Sequence, residues 1–382
     1  MGFHEFSSPY DWSRIAAYKR TAKAAFGGMI DLSVGSPVDP VPDSVRKALA
    51  AAANDPNAYG YPVTAGTADL RAAIAEWFSA TRNVDLQAIH ADVVPTVGSK
   101  EGVALMASLL HFGEDDVVVQ PKVSYPTYEI GTQLAGAQVL KVDDVADVAS
   151  WRNVPGVKAV WVNSPCNPTG EVYSAERMAG IVAAAREIGA VVLSDECYAL
   201  MQWRGATNSA DDDPLQSTPC ALRSDVCAGS AEGVLVLYSL SKQSNMAGYR
   251  TAFIAGDESL IASMSAYRKQ IGQIIPGPVQ AAMAAGLRDL ESVKVQHARY
   301  RERLGVLVSA LRAYGYCTDM PDGALYVWVR AKSGDCWTDM EQLAKIGIIA
   351  SPGEFYGAPE CLRFSATASD EAIASAAERL AR

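Results

Sequence analysis

Residues 234–242 read VLVLYSLSK, an apolar run that ends in two serines and a lysine. Such a run predicts a strand that is buried on both faces, as in a parallel sheet covered by helices. Similar runs recur along the chain and alternate with helical patterns. The predicted strands are Val117–Gln120, Val139–Val142, Ala159–Asn163, Val191–Ser194, Val234–Ser239 and Ala252–Ala255, and the predicted helices are Glu101–His111, Ala175–Ile188 and Leu260–Gln270. This alternation predicts an α/β fold with a mostly parallel sheet flanked by helices.

The pattern changes after about residue 285. A long helical pattern at Val293–Tyr314 precedes a short strand at Leu325–Val329, and a last helix begins at Asp370. We therefore predict a large domain over 46–285, a smaller α+β domain over 286–382, and an N-terminal arm over 1–45 that packs with the smaller domain.

One stretch between the predicted strands differs in composition from its surroundings. Residues 205–233 are rich in Asp, Ser, Thr and Gly. Such a composition predicts a long surface loop that takes no part in chemistry.

Composition and charge exclude several classes of protein. The 382 residues carry a formal net charge of −10, which argues against a nucleic acid partner. No apolar run reaches the roughly 18 residues of a membrane span, and the N-terminus lacks a signal-peptide pattern. The seven scattered cysteines include no CxxC pair, which favours free thiols in the cytoplasm. Cys220 and Cys227 have no histidine nearby, so we predict no metal site.

Polar side chains follow several of the predicted strands. Asn163, Asp195 and Ser239 stand at or next to carboxyl ends, where α/β sheets bind their ligands. Lys242 follows Ser239 closely, and Arg250 comes eight residues later. Hydroxyls and a guanidinium near an amine indicate a phosphate beside a nucleophilic lysine, although a solvated surface lysine would show the same pattern.

Three other segments each allow a functional and a structural interpretation. Asp195 would need a cationic partner if buried, for example a pyridinium nitrogen, but it could also cap a helix. Residues 163–170, NSPCNPTG, form either a rigid turn that holds an asparagine amide in place or a plain turn. The segment 98–100, Gly-Ser-Lys, opens a helix whose free amides could bind phosphate or be capped by serine.

Taken together, these segments match a known family. The motifs are Asn-Pro-Thr-Gly at 167–170, Asp-Glu-x-Tyr at 195–198, Ser-x-Ser-Lys at 239–242, and Arg250. In this order the chain resembles the fold-type I, class I/II aminotransferases that use pyridoxal 5′-phosphate (PLP), from residues 32–35 through to Arg363. The resemblance implies the PLP-dependent transferase fold type I.

The resemblance also implies a role for each residue at the reactive end of the cofactor. Lys242 would bind PLP covalently and then transfer the substrate proton. Asp195 would pair with the pyridine nitrogen, and Asn167 and Tyr198 would hydrogen-bond the phenolic oxygen. Tyr125 would stack on the ring. The catalytic residues implied are therefore Lys242, Asp195 and Tyr198.

Further residues would bind the phosphate end of the cofactor and the substrate. The cofactor contacts implied there are Ser99 and Lys100 through their backbone amides, Ser239, Ser241 and Arg250. Tyr61 would reach the phosphate of a partner subunit, which implies a homodimer with shared sites. Arg363 would bind the α-carboxylate of the substrate, with Gly35 and Asn163 nearby.

Within the family, the chain is similar to bacterial N-succinyldiaminopimelate aminotransferases. The matching segments are residues 30–42, 61–67, 124–131 and 239–250. This similarity implies ping-pong transfer of an amino group between N-succinyl-LL-2,6-diaminopimelate and 2-oxoglutarate, giving glutamate, in lysine biosynthesis. Arg268 and Lys269 could bind the distal succinyl carboxylate or could lie on a solvated helix face.

Three other functions stay open on sequence grounds. The chain could be an aminotransferase for an aspartate-like or apolar amino acid. It could be a PLP-dependent carbon–sulfur lyase, which shares Lys242, Asp195 and Arg363. A cofactor-binding regulatory domain is disfavoured, because the chain starts too close to Gly35 for a DNA-binding segment to precede it.

Overall fold

A computed structural model describes residues 10–203, 215 and 218–382 of the chain. Its strands are β1 (Ile30–Asp31), β2 (Ala91–Val97), β3 (Val117–Pro121), β4 (Gln138–Val142), β5 (Val157–Asn163), β6 (Val191–Asp195), β7 (Val234–Ser239), β8 (Thr251–Asp257), β9 (Tyr326–Arg330), β10 (Ile348–Ile349), β11 (Ser351–Pro352) and β12 (Cys361–Ser365). Its helices are α1 (Ala16–Ala24), α2 (Asp43–Ala52), α3 (Pro56–Tyr59), α4 (Ala68–Arg82), α5 (Ser99–Leu109), α6 (Thr127–Leu134), α7 (Ala175–Glu187), α8 (Ser224–Cys227), α9 (Leu240–Gln243), α10 (Glu258–Gln270), α11 (Gly277–Arg288), α12 (Leu290–Ala313), α13 (Cys336–Lys345) and α14 (Asp370–Leu380).

The large sheet confirms the predicted fold class. Within the described residues it has seven strands in the order β2-β8-β7-β6-β5-β3-β4, and β3 to β7 run parallel. The six predicted strands are all present, and β7 has the predicted bounds. β8 runs antiparallel to both of its neighbours, β7 and β2. The sequence pattern did not reveal β2, an edge strand that contains Pro95, because proline disfavours a strand prediction.

A second, smaller group of elements packs beside the large sheet. β11, β12 and β9 form an antiparallel sheet, and β1 pairs in parallel with β10. Ile15 and Leu32 from the N-terminal part are buried in the same apolar cluster as this sheet. α12 begins three residues before the predicted Val293, because Asp289 caps it by accepting a hydrogen bond from the Ser292 amide at 3.1 Å.

The predicted surface loop over 205–233 is wrong for its second half. Residues 204–214 and 216–217 lie outside the described residues. From Thr218 onward seven of the sixteen residues are buried, including Leu222, and the segment contains the short helix α8. The composition did not indicate this burial, because the segment is held by hydrogen bonds from its backbone to a buried ion pair elsewhere in the chain.

That ion pair joins Arg82, at the end of α4, to Glu196, directly after β6. The Arg82 Nη2 atom lies 2.9 Å from Glu196 Oε2 and donates to the Pro219 carbonyl at 2.7 Å. The other Glu196 oxygen accepts from the Ala221 amide at 2.8 Å. Both side chains are at most 1% exposed. The pair therefore anchors the 219–221 backbone to the end of the sheet.

None of the described helices combines the length and the apolar character that a membrane span needs. Likewise, no three His, Cys, Asp or Glu side chains of the described residues come together in a way that could hold a metal ion.

Replacing Arg82 should destabilise the protein strongly. Arg82→Met leaves the Glu196 carboxylate buried without its cation, so we expect the free energy of unfolding to fall by about 3–5 kcal/mol. The matched control is Arg288→Met, because Arg288 pairs with carboxylates at the surface. That change should cost at most about 1 kcal/mol. Chemical denaturation followed by circular dichroism measures both, and equal losses would contradict the buried-pair argument.

Candidate active site

A cavity of about 360 Å³ opens at the carboxyl ends of the parallel strands, between the large sheet and the smaller group of elements. Its lining includes all but one of the predicted site residues: Gly35, Ser99, Lys100, Tyr125, Asn163, Asn167, Asp195, Tyr198, Ser239, Ser241, Lys242, Arg250 and Arg363. The exception, Tyr61, is fully exposed and lies outside the cavity. Residues from both ends of the chain thus meet around one space.

Lys242 projects into this cavity from the one-turn helix α9, which begins where β7 ends. Ser239 caps that helix by accepting from the Ser241 amide at 3.1 Å. The half-buried Lys242 ammonium donates a hydrogen bond to the Gly35 carbonyl. Burial lowers the pKa of Lys242 below its usual value. More of the amine is therefore neutral near pH 7 than in an exposed lysine, as a nucleophile requires.

Asp195 ends β6 and is buried in the cavity wall. Its Oδ2 atom accepts from the Tyr128 hydroxyl at 2.7 Å, and its Oδ1 atom accepts from the Cys197 amide at 3.1 Å. Burial raises the pKa of Asp195, and both hydrogen bonds oppose that rise. The bond to Cys197 resembles the capping alternative, but the burial of the carboxylate shows that capping alone does not account for it. Tyr128 was not predicted, although it stands three residues after Tyr125.

The rigid turn after β5 depends on Asn163. Its Nδ2 atom donates to the Asp195 carbonyl at 2.8 Å and to the Pro165 carbonyl at 3.2 Å. Its Oδ1 atom accepts from the Asn167 amide at 2.8 Å. The Asn163 side chain therefore holds Asn167 beside the end of β6.

Arg363 extends from β12 to the opposite wall of the cavity. Its Nη1 atom donates to Asn167 Oδ1 at 2.7 Å, and its Nη2 atom donates to the Ser33 carbonyl at 2.8 Å. The guanidinium lies over the rings of Tyr326 and Tyr356, 4.0 and 4.7 Å from their centroids. Its Nε atom is buried and has no hydrogen-bond partner among the described residues. The guanidinium is thus fixed in orientation, while donors that include the Nε atom are left for a ligand.

Tyr326 is a further cavity residue that the sequence did not indicate. Its hydroxyl lies 2.6 Å from the Tyr198 hydroxyl, and the two residues are 128 positions apart. A Cβ atom on Gly35 would overlap the same Tyr326 hydroxyl, so a larger residue there would have to displace the buried Tyr326 ring. Local motifs carry no signal for such a contact, because it forms only when the two parts of the chain pack.

Hydroxyls and one guanidinium form the end of the cavity nearest α5. The Ser239 hydroxyl donates to the Ser241 hydroxyl at 2.8 Å, and Ser99 opens α5. Arg250 donates to the Ala247 carbonyl at 2.8 Å. Hydroxyls, a guanidinium and a helix N-terminus are the donors that bind phosphate.

The charges of the cavity suit PLP with an amino acid beside it. The cations of the lining are Lys100, Lys242, Arg250 and Arg363, whereas Asp195 is the one carboxylate among its described residues. Cations and hydroxyls match a phosphate and a substrate carboxylate, and the buried carboxylate matches a pyridinium nitrogen. The orphaned Nε atom of Arg363 also calls for an acceptor from a ligand. The residues present therefore fit this cofactor.

Arg268 does not lie on a solvated helix face, so that interpretation is wrong. Arg268 is fully buried, and its two terminal nitrogens donate to the Glu101 carboxylate at 2.8 and 3.1 Å. It is not part of the cavity lining. Lys269, the next residue, is exposed. The alternation reflects the helical turn of α10, which directs one of the two side chains inward.

Comparisons with known proteins agree with this geometry. The family model for aminotransferases of class I and II matches residues 27–380, and the chain therefore belongs to that family. Its members depend on PLP, which confirms the predicted family and cofactor.

Two curated relatives are each 40% identical to the chain. One is the 4-dedimethylamino-4-oxo-anhydrotetracycline transaminase OxyQ of Streptomyces rimosus, with 97% of this chain and 98% of the relative covered. The other is the probable aminotransferase Rv1178 of Mycobacterium tuberculosis, with 97% and 84% covered. A solved structure, a probable N-succinyldiaminopimelate aminotransferase from Thermus thermophilus, is 27% identical with a TM-score of 0.84, covering 97% and 99% of the two chains.

Gly98 should be essential for the phosphate end of the cavity. A Cβ atom there would lie 2.2 Å from Arg250 Nη2, so Gly98→Ala should displace the guanidinium and raise the dissociation constant of PLP about tenfold or more. Gly136 has the same φ of 79° but open space around it, so Gly136→Ala carries the backbone strain without the clash. Equilibrium dialysis measures both variants, and equal PLP affinities would refute the contact with Arg250.

Proposed function

We propose that the chain transfers an amino group between N-succinyl-LL-2,6-diaminopimelate and 2-oxoglutarate, in two half-reactions that share one site. The observation that carries the proposal is the charge of the cavity. Once Lys242 and Arg250 serve the cofactor, Arg363 and Lys100 remain among the lining cations for substrate carboxylates. Both substrates carry at least two carboxylates. The likeness to the Thermus protein supports the same assignment.

Each residue around the cofactor has a role in this proposal. The bound cofactor supplies an electron-withdrawing pyridinium ring, and Asp195 keeps the ring nitrogen protonated. Asn167 and Tyr198 donate hydrogen bonds to the phenolic oxygen, and Tyr125 packs against the ring. Lys242 would hold the cofactor through its Nζ atom. Once the substrate takes that place, the freed amine would remove the proton from the substrate Cα and return it at C4′ of the cofactor.

The phosphate would be held at the opposite end of the cofactor. We assign this role to the hydroxyls and amides of Ser99, Ser239 and Ser241, the backbone of Lys100, and the Arg250 guanidinium. Arg250 is held by Ala247 and packs against Gly98, so its position is set before the ligand binds.

Arg363 would bind the α-carboxylate of each substrate. A planar guanidinium suits a carboxylate better than an ammonium does, because it can donate two parallel hydrogen bonds. Asn167, Ser33 and the two tyrosine rings fix its plane. Gly35 lies nearby and leaves room for the substrate backbone. This geometry would point the Cα–H bond towards Lys242.

The enzyme should act as a homodimer, in the cytoplasm, with sites shared between subunits. Tyr61 is 101% exposed and Tyr59 is 77% exposed, which is unusual for large aromatic side chains and favours a covered surface. All seven cysteines are free thiols in the structure, which supports a reducing compartment.

Tyr61 should serve the cofactor phosphate of the partner subunit. Tyr61→Phe removes one hydrogen bond to a charged group, so we expect the dissociation constant of PLP to rise about tenfold. Tyr59→Phe alters another exposed tyrosine ring two residues away and should leave that constant unchanged. Light scattering at assay concentration checks that both variants stay dimeric. An active wild-type monomer would remove the shared site from the proposal.

The choice of substrate is tested by single-turnover reactions with one amino donor at a time. Release of the matching oxo acid is followed by mass spectrometry for N-succinyl-LL-2,6-diaminopimelate, free diaminopimelate, glutamate, aspartate and apolar amino acids. We expect the succinyl donor to react at least about tenfold faster than free diaminopimelate, because the succinyl carboxylate adds a hydrogen bond to a charged group. Lys242→Ala should release no oxo acid from any donor. Comparable rates for all donors would refute the assignment.

Two lysine variants test which residue binds the distal carboxylate of the succinyl donor. Lys100→Gln keeps the backbone amide but removes the cation, so it should reduce the preference for the succinyl donor. Lys269→Gln, on the exposed face of α10, should leave the preference unchanged. The opposite result would assign the distal carboxylate to Lys269.

One observation favours a second candidate substrate class. Tyr10 and Trp12 give part of the cavity lining an aromatic surface, and OxyQ, 40% identical, is named for an anhydrotetracycline substrate. Transfer to a ketone on a fused-ring acceptor is therefore tested alongside the single-turnover reactions of the amino donors. A carbon–sulfur lyase would instead release pyruvate and ammonia from cystathionine in steady state without any oxo acid acceptor.

A further inference from the structure

The carboxylate of Asp195 is held by a tyrosine that does not touch the cavity. The Tyr128 hydroxyl donates to Asp195 Oδ2 at 2.7 Å, while the Cys197 amide occupies Oδ1 at 3.1 Å. Tyr128 is 1% exposed and is not part of the cavity lining, whereas Asp195 is. The tyrosine thus supports the carboxylate from behind and leaves its front open to a ligand.

Packing fixes the Tyr128 ring in place. The ring stacks on Trp161 of β5, with centroids 4.4 Å apart and planes 16° apart, and it meets Tyr125 edge-on at 5.7 Å. Its helix, α6, lies tightly against α5, because a Cβ atom on Gly131 would lie 2.8 Å from the Ala104 carbonyl. The hydroxyl therefore has little freedom to leave Asp195.

Burial and hydrogen bonding act in opposite directions on this carboxylate. Burial favours the protonated form and raises the pKa of Asp195, whereas donation by Tyr128 favours the charged form. The other titratable neighbours are Cys197, Cys166, Tyr125 and Glu196. Burial raises the pKa of the two thiols and of the Tyr125 phenol, and the Glu196 charge is balanced by Arg82. Tyr128 is the neutral donor from another element that offsets the cost of burial.

We propose that Tyr128 is a positioning residue that keeps Asp195 ionised and oriented, so that the ring nitrogen of the cofactor holds the shared proton. The inference rests on the proposed pairing of Asp195 with that nitrogen. Without the hydroxyl, the carboxylate would compete for the proton. The ring would then be neutral for part of the time and would withdraw electrons less well.

A second tyrosine–aspartate pair provides a matched control. The Tyr316 hydroxyl donates to Asp339 Oδ2 at 2.8 Å in the C-terminal part, and both side chains are buried. Tyr316→Phe and Tyr128→Phe each remove one hydrogen bond from a buried carboxylate and keep the ring. The two changes should therefore lower the melting temperature by similar amounts, and any effect confined to Tyr128→Phe is functional.

The test compares PLP with its 1-deaza analogue, in which a C–H group replaces the ring nitrogen. Equilibrium dialysis of full-length variants gives the dissociation constant of each. We expect Tyr128→Phe to weaken PLP binding about tenfold, the effect of a hydrogen bond to a charged group, and to change binding of the analogue by less than about twofold. Tyr316→Phe should change neither. Transamination by Tyr128→Phe should show a lower kcat with little change in KM.

Two outcomes would overturn the inference. Tyr128→Phe could bind PLP as tightly as the wild type, or it could lose affinity for both ligands equally, which would indicate a packing role alone. Asp195→Asn separates this inference from the proposed function. If Asp195→Asn leaves PLP affinity intact, the pairing with the ring nitrogen is wrong. If it weakens PLP but adding Tyr128→Phe to it weakens PLP a further tenfold, the pairing stands and Tyr128 does not act through the carboxylate.

Discussion

The burial of a carboxylate at the end of β6 is the constraint on which the site depends. A buried charge is costly unless hydrogen bonds and a cation compensate it. Asp195 receives two hydrogen bonds from the protein but no salt bridge in the described part of the chain. Its neighbour Glu196 has the opposite arrangement, since Arg82 neutralises it completely within the protein. Glu196 is thus satisfied within the protein, whereas in the proposed function Asp195 would pair with the cationic ring of the cofactor.

The rest of the site follows from bringing two parts of the chain to that strand end. The parallel strands β5, β6 and β7 place Asn163, Asp195 and Ser239 at one edge of the sheet. Arg363 arrives from β12 and bonds to Asn167, 196 positions away. Arg363 and Lys242 therefore line the same cavity. In the proposed function, a substrate carboxylate bound at Arg363 would have its Cα near the Lys242 amine, and the fold would supply this proximity before the substrate binds.

Sequence patterns were sufficient for much of this arrangement. The strand Val234–Ser239 was predicted with its observed bounds, because a continuous apolar run between turns has few other interpretations. The strand β8 was predicted but its antiparallel direction was not, since periodicity carries no information on strand direction. The edge strand β2 was missed because it contains Pro95. The buried segment after Thr218 was taken for a surface loop, because its polar composition concealed the carbonyl and amide that Arg82 and Glu196 bind.

The sequence by itself determined the kind of elements, the family and most of the residues that line the cavity, because most of the predicted residues belong to short motifs beside a strand end or helix start. Only the tertiary structure decided which groups form hydrogen bonds with these cavity residues. Tyr128 reaches Asp195 across 67 positions, and Tyr326 reaches Tyr198 across 128. Such contacts depend on how helices and sheets pack, and no local spacing encodes them. The orientation of Arg363 and the position of the Asp195 carboxylate both follow from that packing.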